Sequence, residues 1–167
     1  MPDEEQEPLV DEYFALWVLL AQTRDAMLRA RERDYQRFGI SNERRAILFI
    51  IDSSDGHATP VEIARDLFRE LHSVTGMLTR MEAAGLISRH KGPGRSKVEV
   101  RLPDEGRDVL RRSGRNEADK RILSALTKRE RERLATCLGK VRSRALEDLG
   151  IRDWEVRLPT DPAGQKG

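Results

Sequence analysis

The sequence predicts a mainly α-helical fold that carries one two-stranded β-hairpin, and three observations lead there. Over most of the 167 residues apolar side chains recur at spacings of three and four, the period of a helix with one buried face. Helix-start signals stand where those patterns begin, most clearly Thr59-Pro60 with Glu62 and Thr127 with Glu130. Strict alternation occurs around one Gly-Pro-Gly turn, in the stretch Lys97 to Leu102.

Taken in order, residues 1–8 form an acidic start expected to be disordered, and residues 9–39 a long helix whose face holds Leu9, Tyr13, Leu16, Trp17, Leu20 and Met27. Gly39 ends it, and Ser41 or Asn42 caps a second helix reaching about Ser53. The run AILFII in that helix is apolar on nearly all sides, which places it at the centre of the core. The stretch SSDGH breaks the chain before a short third helix to about Phe68, with Ile63, Ala64, Leu67 and Phe68 facing inward. A fourth helix, residues 71–84, is stopped by Gly85.

That fourth helix has two unlike faces. Val74, Met77, Leu78 and Met81 make a buried stripe, and Ser73, Thr75, Gly76, Thr79 and Arg80 make the other side. The outer side is small and polar in a chain whose other surfaces are dense with Arg and Glu. The hairpin that follows, residues 87–101, gathers Arg89, Lys91, Arg95, Lys97 and Arg101 against one acid, Glu99. One helix from Pro103 to about Leu126 and a last one from Thr127 to about Leu149 complete residues 103–157, the last burying Leu134, Leu138, Val141 and Leu149. Residues 158–167 read as a flexible tail, because Pro and Gly interrupt every period.

Composition excludes several classes. The longest apolar runs, Phe14 to Ala21 and Ala46 to Ile51, fall far short of the roughly 20 residues that span a bilayer. The acidic beginning has the wrong charge for a secretory or transit segment, so a cytoplasmic protein is expected. A single cysteine, Cys137, rules out an internal disulfide framework and is expected to be a small buried apolar residue. His57, His72 and His90 are far apart and lack ligand partners, so neither metal nor cofactor is expected. No P-loop, dinucleotide-binding glycine motif or nucleophile elbow is present, which predicts a protein that is not an enzyme.

A net charge of +2 is too mild to identify a nucleic-acid partner, so the distribution of charge decides. Two helices, a polar-faced helix and a basic hairpin, flanked by long helices, make the order of a winged helix-turn-helix with helical arms. Such a motif lays its second helix in the major groove and its wing on the backbone or minor groove of double-stranded DNA. The candidate contacts are Thr59, His72, Ser73, Thr75, Gly76, Thr79 and Arg80 from the two helices, and Arg89, Lys91, Arg95 and Lys97 from the wing.

The stretch TPVEIARDLFRELHSVTGMLTRMEAAGLISRHKGPGRSKVEVRLPDEGRDVL resembles the central pattern of the MarR family of bacterial transcriptional regulators. Thr59, Ile63 and Ala64, Ser73 and Thr75, Met81 with Gly85 and Leu86, Arg89, Arg95, Leu102 and Gly106 occupy its places. Three positions depart from it: Pro93 or Gly94 stands where an Asp usually flanks the wing Arg, Pro103 follows Leu102, and Gly76 replaces a larger polar residue.

The resemblance implies a homodimer whose first and last two helices interlock and hold two winged lobes over a pseudo-palindromic operator. The candidate dimer residues are Leu9, Tyr13, Leu16, Trp17, Leu20, Leu123, Leu126, Leu134 and Leu138, more apolar stripe than one small lobe covers. It also implies a cleft for a small aromatic or anionic effector near the Arg-rich first helix, with Arg24, Arg29, Arg31, Arg33 and Arg37. The interleaved Asp25, Glu32 and Asp34 suggest surface ion pairs, each worth at most about 1 kcal/mol. The expected role is a repressor released by that effector; the alternative is a winged-helix interaction or scaffold module without specific DNA binding.

Overall fold

Asp11 accepts a hydrogen bond from the Phe14 amide at 2.6 Å and caps α1 (Glu12–Gln36). The computed structural model describes residues 11–92, 98–114 and 117–151. Gly39, at φ +69°, turns the chain out of α1 into α2 (Asn42–Asp52), which the Ser41 hydroxyl caps by accepting from the Arg44 amide at 3.3 Å. The corner is tied from α1. Glu32 accepts from the Asn42 amide at 2.8 Å, and the Asn42 side-chain amide donates to the Leu28 carbonyl at 2.8 Å. Ile47, Leu48, Ile50 and Ile51 are all buried, so α2 runs through the middle of the core as its sequence demands.

After α2 a two-residue strand, β1 (His57–Ala58), precedes α3 (Pro60–Leu67). The capping box is complete: the Thr59 amide and hydroxyl donate to Glu62 at 2.7 and 2.8 Å, and the Glu62 amide donates to the Thr59 hydroxyl at 3.3 Å. Phe68 ends α3 in the left-handed region at φ 52°, and there the structure corrects the sequence reading. Phe68 is exposed rather than inward, because the helix has ended and its side chain leaves the apolar stripe; Leu67 packs partly buried against the core. Next come α4 (Leu71–Ala83), closed by Gly85 at φ +71°, and the hairpin β2 (Ser88–Lys91) and β3 (Val98–Arg101).

The hairpin gains a third strand. All three are antiparallel in the order β1-β3-β2, with Ala58 and Arg89 both opposite Val100. Ala58 and Val100 are buried, which anchors the base of the wing to the core. The single helix expected from Pro103 to Leu126 is instead two, α5 (Asp104–Ser113) and α6 (Ala118–Leu123). Gly106 is where α5 crosses the turn before β2: a Cβ there would lie 2.1 Å from the Leu86 carbonyl oxygen.

The last helix, α7 (Lys128–Asp148), starts at the expected Thr127–Glu130 box. Three expectations about it and α1 are corrected. Leu134, Leu138, Val141 and Leu149 are exposed on the single chain, and Leu146 is the buried residue of α7, because the helix projects away from the lobe. Cys137 is exposed for the same reason. Asp34 is buried and pairs with Arg121 of α6 at 3.4 Å, while Arg31 pairs with Asp119 at 3.3 Å, so these charges join α1 to α6 rather than decorating α1. The Arg31 and Arg45 guanidinium groups sit over the Tyr35 ring at 5.5 and 5.3 Å from its centroid. Among the described residues, no helix is long and apolar enough to cross a membrane.

Candidate nucleic-acid interface

The two faces of α4 separate as the spacing requires. Val74, Met77, Leu78 and Met81 are buried against the core, while His72, Ser73, Thr75, Thr79 and Arg80 are exposed and Gly76 is half-buried. No bulky side chain stands on the outward face between Ser73 and Thr79. A Cβ added to Gly76 would meet only the Arg80 guanidinium, at 3.7 Å, so the protein's own packing does not require glycine there. A mid-helix glycine costs about 0.5–1 kcal/mol relative to alanine. The position leaves room for something outside the chain.

The threonine hydroxyls on this face bond back to the preceding turn of their own helix. Thr75 donates to the Leu71 carbonyl at 2.8 Å and Thr79 to the Thr75 carbonyl at 3.0 Å. In this arrangement each offers a partner an acceptor lone pair and a methyl group. Thr79 also accepts from the Arg89 guanidinium at 3.3 Å, which leaves Thr75 the freer of the two. Arg80 is the donor-rich group of the face, and no ion pair among the described residues uses it.

The wing is joined to α4 by one carboxylate. Glu82 accepts from the Arg89 amide at 3.0 Å and from its side-chain Nε at 2.7 Å, and the second guanidinium arm lies 2.6 Å away. The Arg89 side-chain hydrogen bond, outweighing loss of water around the group, holds the Glu82 carboxyl below the ordinary glutamate value. Glu99 is likewise held low, chiefly by its hydrogen bond from Arg101 at 2.8 Å.

Two of the five hairpin cations are thus matched within the lobe, and Lys91 is exposed with no ion pair among the described residues. The candidate contacts Arg95 and Lys97, and Leu9 of the dimer set, lie outside the described residues. Thr59 is half-buried, with its hydroxyl in the α3 box, so it sets the start of α3 rather than standing free on the surface.

Sequence reasoning passed over an apolar cleft beside this face. Val61, Leu71, Thr75, Leu78 and Val98 line most of a space of about 540 Å³ between the start of α3, α4 and the wing, with the charged Glu62 and Arg89 at its wall. Val61, Leu71 and Val98 are exposed there at 62%, 45% and 41%. The signal was present: Val61 falls on the outward side of α3, and Leu71 opens α4 outside its stripe. Among the described residues, no group of three or more His, Cys, Asp or Glu is arranged to hold a metal.

Of the candidate dimer residues, Tyr13, Leu16 and Trp17 of α1 and Leu134 and Leu138 of α7 are exposed on the single chain. Leu20, Leu123 and Leu126 are half-buried. Phe14 and Trp17 stack with ring centroids 6.1 Å apart, so the start of α1 carries a contiguous aromatic surface.

The sequence matches no protein-family model and no curated protein. Solved structures match the whole fold. The organohalide-sensing RdhR-CbdbA1625 transcriptional regulator, in its ligand-free form, is 26% identical at a TM-score of 0.79, over 96% of this chain and 99% of that one. The same protein with 2,4-dichlorophenol bound gives the same figures: 26% identity, TM-score 0.79, 96% and 99% covered. A cysteine-to-serine mutant of MarR from E. coli, complexed with operator DNA, is 23% identical at a TM-score of 0.74, over 81% of this chain and 99% of that one. The order of elements, the small-faced α4 beside its wing and the superposition on these structures agree on one result: the chain has the winged helix-turn-helix fold seen in MarR family transcriptional regulators.

Proposed function

We propose that the protein is a homodimeric, sequence-specific regulator of transcription that binds double-stranded DNA with α4 in the major groove and the wing on the backbone or minor groove. One observation carries this reading: the outward face of α4 combines small side chains, a glycine that the fold does not need, and Arg80 without an acidic partner among the described residues. A groove about 12 Å wide admits such a helix, and a guanidinium beside threonine acceptors suits base edges. The operator complex of the E. coli relative supports the reading.

The dimer is supported by the apolar side chains left exposed on α1 and α7, which need a partner to cover them. A two-fold pair presents its recognition helices to half-sites about 34 Å apart. We further propose that the protein works in the cytoplasm as a repressor, since occupying an operator needs no placed contact with polymerase. A small aromatic or anionic effector releases it by favouring a dimer with badly spaced helices, and can shift the equilibrium only by its differential affinity for that shape. The dichlorophenol complex of the organohalide-sensing relative supports such a ligand.

The test is selection of bound fragments from genomic DNA, followed by titration of the best fragment at rising salt. Specific operator binding predicts a recurring pseudo-palindrome and an affinity that falls steeply between about 50 and 200 mM salt. A flat salt response without sequence preference would instead identify a protein-interaction module.

A further inference from the structure

We propose that the cleft beside α4 is a subsite for the 5-methyl group of thymine, read chiefly by Leu71. The inference rests on the operator-binding reading and deepens it by naming a base the protein selects. The candidate face is polar along Ser73, Thr79 and Arg80, yet it opens at its α3 side onto Val61, Leu71 and Val98, all exposed. Exposed aliphatic side chains on a surface that approaches DNA have one well-matched counterpart in the major groove, the thymine methyl.

Position favours Leu71 over the other two. It is the first residue of α4, and residues at the start of a recognition helix are those that reach base edges. One turn on stands Thr75, whose hydroxyl donates back to the Leu71 carbonyl at 2.8 Å. While its proton is given to the Leu71 carbonyl, Thr75 can accept from an adenine amino group and place its methyl in the cleft. Leu71 and Thr75 together therefore suit a thymine next to an adenine, while Arg89, which also lines the cleft, is held by Glu82 and Thr79. Val61, in the first turn of α3, and Val98, at the start of β3, form the apolar walls on either side of the thymine methyl.

The experiment exchanges thymine for uracil, one position at a time, in the operator selected with the full-length protein; this deletes the methyl and leaves base pairing intact. Burial of one methyl is worth about a fourfold change in affinity. One position in each half-site should show that loss with the parent protein, and Leu71→Ala should bind thymine and uracil duplexes equally. Val61→Ala, which trims a wall, should keep a reduced preference. Circular dichroism and thermal melting confirm that each variant is folded.

If the parent binds every uracil duplex as tightly as the thymine operator, the subsite does not exist. If the preference survives undiminished in Leu71→Ala, another residue reads the methyl and the assignment fails. Absence of any sequence-preferring binding defeats the operator reading itself, a result distinct from both.

Discussion

Glu82 on α4 accepts hydrogen bonds from both the backbone amide and the side chain of Arg89 on β2, at 3.0 and 2.7 Å. This carboxylate ties α4 to the wing. Arg89 is also the residue through which Thr79 is held, at 3.3 Å, so an arginine expected among the wing's DNA contacts has work inside the lobe.

The pairing makes the lobe acid-sensitive in a defined direction. The Glu82 carboxyl is held below its ordinary value of 4.5 by the Arg89 hydrogen bond, so its contribution is complete above that value and lost as pH falls through the lower folded-state value. The thermal midpoint of the parent should therefore decline below about pH 4.5, and part of that decline should vanish in Glu82→Gln. Melting curves across this range check it. An unchanged pH profile in Glu82→Gln would show that the carboxylate contributes nothing.

Two glycines should respond oppositely to the same methyl. Gly106→Ala places a Cβ 2.1 Å from the Leu86 carbonyl oxygen, so α5 must shift and stability should fall by at least about 1–3 kcal/mol. Gly76→Ala meets no such obstacle and should gain about 0.5–1 kcal/mol while weakening DNA binding. Denaturant unfolding measures the first quantity and operator titration the second.

Trp17 and Tyr13, 63% and 75% exposed on the single chain, with Leu138 on α7, mark the surface a partner should cover. Trp17→Glu should convert a dimer to a folded monomer by sedimentation, because a buried unpaired carboxylate costs several kcal/mol at an interface. It should also abolish operator binding by removing the second half-site contact. A parent that sediments as a monomer would contradict the dimer.

Local signals were the most legible part of the sequence. The Thr59–Glu62 and Thr127–Glu130 boxes, the all-round apolar run of α2 and the split faces of α4 each reflect contacts within a few residues, so spacing alone specifies them. Features set by distant partners were not legible. β1 is two residues long and has no period; it exists because Val100 offers Ala58 a buried edge. The division of α5 from α6 leaves no proline behind, and the pairing of Asp34 with Arg121 joins positions far apart in the chain.

The leucines of α7 show the same limit in another form. Their stripe says that something apolar must cover them, and the lobe of the same chain does not. At the candidate interface, polar α4 residues were legible from their contrast with the charged surfaces elsewhere. Internal use of Arg89 and Arg101 was not, since charge counting treats every cation as free until the acid beside it is placed.

The most direct test compares affinity for the selected operator with affinity for a scrambled duplex of the same length, for the parent and for Arg80→Ala. If α4 reads bases through Arg80, the variant should lose about 1–3 kcal/mol of that discrimination while keeping its non-specific, salt-dependent binding. An Arg80→Ala protein that separates the two duplexes as well as the parent does would contradict the placement of α4 in the groove.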